Sequence, residues 1–274
     1  MIVRRTHLTL ALVATVGATL VATLVAGCAG VAGLGTPIPR SDVTVFAAAS
    51  LRDAVDAVAD DYSRRGSIPV SVSTDSSATL RTQIEQGARA DVYLSADTAN
   101  PEALAAAGLV DGPLVRFAGV RLAIVVPADN PAGITTPFDL GRAGLTIVAA
   151  GPAVPITAYA TALLENLAAM PGAPADLIRA YEANVASRED NVRAALAKVE
   201  LGEADAAIVY ASDAAASHAV VSIDIPPEAN VVATYAGAVP TTAANRDGGH
   251  RFLDFLIAPD GQAILARFGF EPPP

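Results

Sequence analysis

From residue 43 onward, two patterns of apolar residues alternate along the chain. Short apolar runs are typical of strands, and longer segments repeat apolar residues every three or four positions, as helices do. The pattern predicts strands at 43–46, 70–72, 91–94, 122–126, 145–148, 206–210 and 231–234. It predicts helices at 51–65, 79–86, 156–167, 176–183, 192–201, 251–257 and 261–268. Such alternation predicts an α/β fold with mainly parallel sheets and flanking helices.

The composition indicates a large apolar core and an acidic surface. Of the 274 residues, 52% are hydrophobic and 17% are charged, and the net charge at pH 7 is −10. This length suits one large domain or two smaller ones. The acidic balance argues against a nucleic-acid partner, because a phosphate backbone needs clustered Lys and Arg. An anionic ligand would have to be held by local dipoles rather than by net charge.

The first 27 residues have the features of an export signal. Arg4 and Arg5 precede an apolar run at 8–26, and the one cysteine of the chain, Cys28, follows the small residues of Leu24-Val25-Ala26-Gly27. This arrangement resembles the lipobox of bacterial lipoproteins, which implies cleavage before Cys28, its diacylation and anchoring on the extracytoplasmic face of the cell membrane. An uncleaved transmembrane anchor is the alternative, since the run approaches the length of a spanning helix. Both interpretations place the rest of the chain outside the cytoplasmic membrane.

The junctions between strands and helices are the candidate ligand sites. In open α/β sheets, ligands bind beyond the carboxyl ends of the strands, where helices begin. The first turn of a helix has N–H groups without intrahelical partners and a partial positive charge, so it attracts anions. The predicted junctions with this character are 46–51, 73–80, 151–157 and 189–193.

Hydroxyl groups are concentrated at the first two junctions. Ser50 follows three alanines, which let a ligand approach the backbone, and it stands where an N-cap is expected. The second junction, Ser73-Thr74-Asp75-Ser76-Ser77-Ala78-Thr79, has more hydroxyls than one cap requires, and either Ser76 or Thr79 suffices as that cap. Capping alone and capping combined with ligand contact are both consistent with these serines.

The last two junctions offer backbone N–H groups. Pro155 suits the start of a helix and leaves the following amides free, and Asp190 or Asn191 can cap the next helix. The N–H groups then left at helix starts are those of Ile156, Thr157 and Val192. A further donor stands at the end of the strand 206–210, where the hydroxyl of Tyr210 either serves a ligand or is satisfied inside the core.

Taken together, these segments resemble the molybdate-binding proteins that serve ABC transporters. The matching segments are Val45-Phe46-Ala47-Ala48-Ala49-Ser50-Leu51, Ser76-Ser77-Ala78-Thr79-Leu80, Ala90-Asp91-Val92-Tyr93-Leu94-Ser95-Ala96-Asp97, Val192-Arg193-Ala194-Ala195-Leu196 and Gly202-Glu203-Ala204-Asp205-Ala206-Ala207-Ile208-Val209-Tyr210. The resemblance implies a two-lobed periplasmic-binding-protein fold of type II with a ligand cleft. The domain organisation expected from it is a signal peptide at 1–27, a Gly- and Pro-rich flexible tether at 28–42, a first lobe at 43–122 plus 238–274, and a second lobe at 123–237.

The resemblance also implies a ligand set. The oxyanion would meet Ser50 and Ser77 from the first lobe, and the second lobe would contribute the backbone of Ile156, the backbone of Val192 and the hydroxyl of Tyr210. The expected ligand is molybdate, with tungstate, and the expected partner is the permease of an ABC importer that recognises a closed, monomeric binding protein. No cofactor, catalytic residue or directly bound metal cation is expected, because molybdenum would be bound as its oxyanion.

Three residues depart from the family pattern. Ala78 stands where a third serine is common, Asp75 adds a negative charge nearby, and Ile156 occupies a position that often has a small residue. A contact made through the Ile156 N–H would be less sensitive to the size of its side chain.

The implied ligand set contains no Lys or Arg. Donor groups alone favour a fully ionised oxyanion, because the O–H of a protonated phosphate would find no acceptor. The size of the site would then separate molybdate and tungstate from the smaller sulfate.

Three other functions remain open at this point. A hydrolase would need a base beside Ser50, and none is evident, since His218 and His250 lie in polar segments expected to be exposed. A binding protein for sulfate, another oxyanion or a small organic acid is the second alternative. An exported adhesion or scaffold lipoprotein is the third.

Overall fold

The computed structural model describes residues 42–66 and 68–274, so the predicted signal peptide, Cys28 and all but the last residue of the predicted tether lie outside the described residues. The strands of this part are β1 (Val43–Ala48), β2 (Val70–Asp75), β3 (Val92–Ser95), β4 (Val110–Pro127), β5 (Ile147–Ala150), β6 (Val185–Glu189), β7 (Ala207–Tyr210), β8 (Val220–Ile223) and β9 (Val232–Pro240). All of them lie in one compact unit, Arg40–Pro274.

Helices flank these strands along the whole of the described chain. They are α1 (Arg52–Gly66), α2 (Ser77–Glu85), α3 (Ala99–Ala106), α4 (Pro155–Ala168), α5 (Leu177–Asn184), α6 (Val192–Glu200), α7 (Ala211–Ala216), α8 (Arg246–Ile257) and α9 (Pro259–Arg267). Short 3₁₀ turns occur at Ala49–Leu51 and Pro137–Gly141. Among the helices of the described residues, none combines the length and apolarity needed to cross a bilayer.

The central sheet mixes parallel and antiparallel strands. Its order is β2-β1-β3-β9-β4-β7, with β8 also paired to β4, and β5 and β6 form a separate two-stranded sheet. Parallel pairing holds for β1 with β2 and β3, and for β5 with β6. The pairs made by β4 and β9 are all antiparallel. The expectation of mainly parallel sheets is therefore wrong for the half of the sheet built around these two strands.

Strands β4 and β9 are much longer than the apolar runs that predicted them. The run at 122–126 lies in the last part of β4, whose first seven residues are all partly or fully exposed and include Asp111, Gly112, Pro113 and Arg116. Strand β4 pairs with β9 from Val110 to Arg121, with register shifts between Asp111 and Val115 and between Arg116 and Ala118. A hydrophobic pattern finds the buried end of such a strand and misses the solvated end, because only the buried end needs apolar side chains.

The predicted helices are all present, with small shifts at their ends. The largest shift is in α8, which begins at Arg246 rather than at 251. Asn245 caps this helix, and its Oδ1 accepts the N–H of Gly248 at 2.9 Å. The Gly248-Gly249 pair hid this first turn, because glycine disfavours helices in general. Pro259 separates the last two helices as predicted and forms the first turn of α9.

The pattern missed α3, α7, β6 and β8. Strand β6, Val-Ala-Ser-Arg-Glu, is partly exposed throughout, and β8 has two exposed residues. Helix α3 begins with Ala-Asn-Pro and carries no clear apolar stripe. These short elements have little burial of their own, so they leave a weak hydrophobic signal.

Asp91 is a buried connection between the first strand and the C-terminal helices. Its side chain is nearly inaccessible to solvent. Its Oδ2 accepts the N–H of Thr44 at 2.9 Å, and its Oδ1 accepts the N–H of Asn245 at 2.7 Å. One carboxylate therefore satisfies two backbone donors that are 201 positions apart in the sequence, and it ties β1 to the start of α8.

Replacement of Asp91 by Asn tests this connection. The amide offers one acceptor and turns an NH2 group towards a backbone N–H, so a buried donor loses its partner. We expect the free energy of unfolding to fall by about 1–3 kcal/mol, as measured by urea denaturation. The exposed Asp129→Asn change is the matched control and should be near neutral. Equal stability of the two variants would contradict the connecting role of Asp91.

Candidate functional site

A small cavity lies where the predicted junctions meet. It lies between elements that are distant in the sequence, and its empty space, part of which is open to solvent, amounts to about 200 Å³. Its lining residues are Ala48, Ala49, Ser50, Ser76, Ser77, Ala96, Val154, Pro155, Asn191, Val192 and Tyr210. Four of the five residues predicted to bind the ligand, Ser50, Ser77, Val192 and Tyr210, are among them. The fifth, Ile156, is adjacent in sequence to lining residues.

Ser50 reaches the cavity from a 3₁₀ turn and does not cap a helix. The turn Ala49–Leu51 follows β1 directly, with Ala48 as its N-cap residue and no side-chain cap. The expectation that Ser50 is an N-cap is therefore wrong. Its hydroxyl is buried and forms a hydrogen bond of 2.8 Å with the hydroxyl of Tyr235. Small residues at 47–49 bring the backbone of this turn to the cavity wall.

The two adjacent serines at the start of α2, Ser76 and Ser77, have different roles. Ser76 is the N-cap of α2, and its Oγ accepts the N–H of Thr79 at 3.1 Å. Ser77 is the first residue of the helix and is buried; its Oγ accepts the N–H of Ala96 at 3.0 Å. Because Ser77 acts as an acceptor towards the protein, its own hydroxyl proton is left for another acceptor.

Asp75 does not line the cavity. Its Oδ1 accepts the N–H of Ser76 at 2.7 Å, so the carboxylate is engaged at the outer side of the junction. Ala78, the second departure from the family pattern, is the second residue of α2 and also lies outside the lining set. Neither residue puts a side chain into the cavity wall.

Helix α4 presents Val154 and Pro155 to the cavity. Ile156 follows Pro155 in the first turn, and its N–H makes no hydrogen bond to any residue that the structure describes. Its side chain lines a different cavity, towards Tyr181 and Arg188. The prediction that the N–H of Thr157 is also free is wrong, because it donates to the carbonyl of Val154 at 3.0 Å.

Helix α6 begins at the cavity with an amide cap. Asn191 is the N-cap residue, and its Oδ1 accepts the N–H of Ala194 at 3.0 Å. The N–H of Val192 precedes that bond and has no partner in the described part of the chain. Of the two residues left open as caps, Asn191 is therefore the one that serves, and it exposes the amide that the sequence suggested.

Tyr210 places an unsatisfied hydroxyl at the cavity. It is the last residue of β7, as predicted, and is 1% exposed. Its Oη is buried and has no hydrogen-bond partner among the residues that the structure describes. Burial raises the pKa of this phenol well above 10, so it stays protonated and can donate. A buried donor without a partner is costly and is rare in folded proteins.

Tyr235 is the neighbour of the site that sequence reasoning missed. It lies in β9, is completely buried and contacts Ser50 as described above. Its ring packs edge-on against Tyr210, with centroids 5.5 Å apart, and against Phe117 and Phe270. No local signal distinguishes it from a core aromatic, since its partner is 185 residues away in the chain.

An arginine lies next to the site, but its charge is neutralised. The Nη2 of Arg193 donates to Asp53 at 2.6 Å, and its Nε lies 2.7 Å from the Oδ1 of Asp213. Asp213 is fully buried, and this burial raises its pKa to about 6, partly opposed by the charge of Arg193. One cation between two carboxylates adds little net positive charge to the cavity.

His218 and His250 do not line the cavity. His218 is exposed, as expected, whereas His250 is partly buried and contacts Asp111 at 3.0 Å. Among the described residues, no group of three or more His, Cys, Asp and Glu side chains is arranged to hold a metal ion. The polar contact of Ser50 is a tyrosine rather than a base.

An α/β chain with helix starts and hydroxyls around a small cavity has the construction of a solute-binding protein. The chain belongs to the bacterial extracellular solute-binding protein family, which it matches over residues 43–271. This is a family of binding proteins rather than of enzymes. The chain is similar to the molybdate-binding protein ModA of Mycobacterium tuberculosis (strain ATCC 25618 / H37Rv), with 35% identity over 233 residues that cover 84% of this chain and 85% of the relative. The resemblance found in the sequence is thereby confirmed.

Solved structures confirm the fold class. The Azotobacter vinelandii periplasmic molybdate-binding protein superposes with a TM-score of 0.70 at 20% identity. The match covers 85% of this chain and 100% of that chain. The sulfate-binding protein SubI from Mycobacterium tuberculosis H37Rv has a TM-score of 0.73 at 24% identity, covering 85% of this chain and 87% of that chain. At these identities the likeness establishes the fold alone.

The buried Asp213 predicts a specific pH dependence of stability. Its pKa in the folded protein, about 6, lies above its ordinary value of 3.8, so the folded state binds this proton more tightly than the unfolded chain does. Its contribution to the free energy of unfolding should therefore fall as the pH rises from about 4 to about 6 and stay constant above.

Urea denaturation of the wild type and of Asp213→Asn between pH 4 and pH 7 measures this contribution. The stability of the wild type relative to the variant should decrease across that interval, while Asp129→Asn should follow the wild-type profile. Parallel profiles for the wild type and Asp213→Asn would show that this carboxyl titrates normally.

Proposed function

We propose that this protein captures molybdate, and also tungstate, outside the cytoplasmic membrane and delivers it to an ABC importer. The relative named as a molybdate-binding protein, which shares 35% identity, supports the choice of ligand. The cavity supports the kind of binding, because its wall combines two serine hydroxyls, a tyrosine hydroxyl and helix starts. The proposed ligand residues are Ser50, Ser77, Ile156, Val192 and Tyr210.

The unsatisfied hydroxyl of Tyr210 is the observation that carries this proposal. An oxyanion in the cavity would accept its proton and remove the cost of leaving a buried donor unpaired. The same guest would accept the proton of Ser77, whose oxygen is already occupied by the N–H of Ala96. It would also lie at the start of α6, where the free N–H of Val192 adds a donor and the helix dipole adds partial positive charge.

Hydrogen bonds to a charged group contribute about 1.5–3 kcal/mol each. Three hydroxyls and the two free helix-start amides therefore supply a substantial part of what a dianion loses when it leaves water. The sum is not additive, but its sign favours a guest that only accepts. A protonated oxyanion brings an O–H for which the set provides no dedicated acceptor, so the site would discriminate against it.

The proposed ligand residues fall in both proposed lobes. Ser50 and Ser77 belong to the segment 43–122, whereas Ile156, Val192 and Tyr210 belong to 123–237. The chain would cross between the lobes along β4 and β9. A guest that contacts both lobes would favour the closed arrangement by hinge motion, and the permease would recognise this form of a monomeric protein.

Membrane attachment through Cys28 completes the proposal. The sequence before this residue resembles a lipobox, and the family is extracellular. Acylation of Cys28 would hold the binding domain at the outer face of the membrane, where it can meet a permease. The Gly- and Pro-rich segment 28–42 would act as a flexible tether between the lipid and the domain.

Calorimetry with molybdate, tungstate, sulfate and phosphate tests the ligand. We expect tight binding of the first two, weak or no binding of sulfate, and no binding of phosphate near neutral pH. Ser50→Ala and Ser77→Ala should each weaken molybdate binding by about tenfold or more, because each removes a charge-assisted hydrogen bond. Ser63→Ala, near the C-terminal end of α1 and outside the lining set, is the matched control and should bind like the wild type.

Two results would contradict the proposal. Tighter binding of sulfate than of molybdate would assign the other oxyanion, and unchanged affinity in both serine variants would place the ligand elsewhere.

Labelling with palmitate tests the anchor. The wild type expressed in a bacterium with lipoprotein processing should incorporate the label and sediment with membranes, whereas Cys28→Ala should not be labelled. Ser63→Ala is again the control and should be labelled normally. Sedimentation of both the wild type and Cys28→Ala without label in either would indicate an uncleaved transmembrane anchor instead.

A further inference from the structure

Ser50 and Tyr235 form a hydrogen bond between two hydroxyl groups, and either hydroxyl can be its donor. The two oxygens are 2.8 Å apart, and both side chains are buried. If Ser50 donates to Tyr235, its oxygen presents lone pairs to the cavity and repels an anion. If Tyr235 donates to Ser50, the serine proton is free to point at a guest.

The surroundings of Tyr235 decide between these directions. Its hydroxyl is completely buried, so its proton needs an acceptor inside the protein. Ser50 Oγ is its only side-chain hydrogen-bond partner among the described residues. The nearby hydroxyl of Tyr210 does not meet hydrogen-bond geometry with it. Donation from Tyr235 to Ser50 is thus the arrangement that gives the phenol proton of Tyr235 an acceptor.

Ser77, the second serine of the proposed ligand set, is also oriented by a donor group of the protein. Ser77 Oγ accepts the N–H of Ala96, a donor that cannot reverse. Its proton is therefore always available to the cavity. Ser50 lacks a backbone donor of this kind, and a tyrosine hydroxyl takes that place. Both serines then face the cavity as donors, each with one lone pair already engaged by the protein.

We propose that Tyr235 is a positioning and specificity-determining residue, which by donating to Ser50 Oγ commits the Ser50 proton to the bound oxyanion. This inference rests on the proposed function and adds a residue outside the predicted ligand set. Without the Tyr235 hydroxyl, Ser50 can turn and act as an acceptor. The site should then lose affinity for a dianion and gain tolerance for an oxyanion that carries a proton, such as hydrogen phosphate.

A double-mutant cycle with molybdate as the probe tests the inference. Tyr235→Phe keeps the ring and its edge-on packing and removes only the hydroxyl. We expect Tyr235→Phe to weaken molybdate binding by about three- to tenfold and Ser50→Ala by about tenfold. The double variant should bind within about twofold of Ser50→Ala alone, because Tyr235 acts only through Ser50. A purely structural role would instead make the two losses multiply.

Two further measurements test the inference: the selectivity of Tyr235→Phe for molybdate over phosphate, and the binding properties of a matched control variant. The wild type should not bind phosphate near neutral pH, so the expected loss of selectivity is phosphate binding that becomes measurable in Tyr235→Phe. Tyr62→Phe removes the hydroxyl of another buried tyrosine that packs edge-on against two phenylalanines, and it should change neither affinity nor selectivity. Thermal unfolding of each variant checks that it is folded under the conditions of the titration.

Neutron diffraction from deuterated crystals of the wild type with molybdate tests the same point without a substitution. Deuterium between Tyr235 Oη and Ser50 Oγ, bonded to the tyrosine, supports the inference, and deuterium bonded to Ser50 at that place overturns it. Multiplicative losses in the cycle, with molybdate still bound tightly by the wild type, also overturn it and leave the proposed function standing. Failure of the wild type to bind molybdate overturns the proposed function itself and this inference with it.

Discussion

Buried donor groups without internal acceptors are the constraint on which the site depends. The hydroxyl of Tyr210 and the N–H groups of Ile156 and Val192 have no partners among the described residues, although each lies at or beside the cavity wall. Folding ordinarily satisfies such groups, since each unmade hydrogen bond in the interior costs about 1–3 kcal/mol. The fold gathers these donors around one cavity, where an acceptor that enters can pair with them. Binding of the proposed oxyanion would therefore complete the hydrogen bonding at the cavity.

The small residues around the cavity leave room for an acceptor to reach the donor groups. Ala48, Ala49 and Ala96 bring backbone close to the cavity without filling it. Larger side chains there would occupy the space in which the donors converge. The serines work in pairs with internal donors, since Ala96 N–H engages Ser77 and Tyr235 is inferred to engage Ser50. With this inferred direction, the hydroxyl protons of Ser50 and Ser77 are both available to the cavity, and one lone pair of each serine is engaged by the protein.

Much of this arrangement could be predicted from the sequence, because helix starts after strands are local features. Ser50 and Val192 stand at such junctions and Tyr210 at a strand end, the family resemblance adds Ser77, and all four line one cavity. What the sequence does not contain locally is the pairing across the sheet. Tyr235 reads as an ordinary core residue until β9 is placed beside β3 and β4. The antiparallel half of the sheet was missed for the same reason, since strand direction depends on contacts between distant segments.

The position of Arg193 indicates how an acidic protein would hold the proposed anion without a cationic site. This residue follows Val192 directly and lies beside the cavity, yet its guanidinium is taken by Asp53 and Asp213. A free arginine at this place would attract any anion, including carboxylates and protonated phosphate, with little regard to shape. Neutralising it by two carboxylates removes that general attraction and leaves oriented dipoles as the source of affinity. Dipoles act over short distances and depend on geometry, so the selectivity of the proposed site would follow from where its protons point rather than from the total charge.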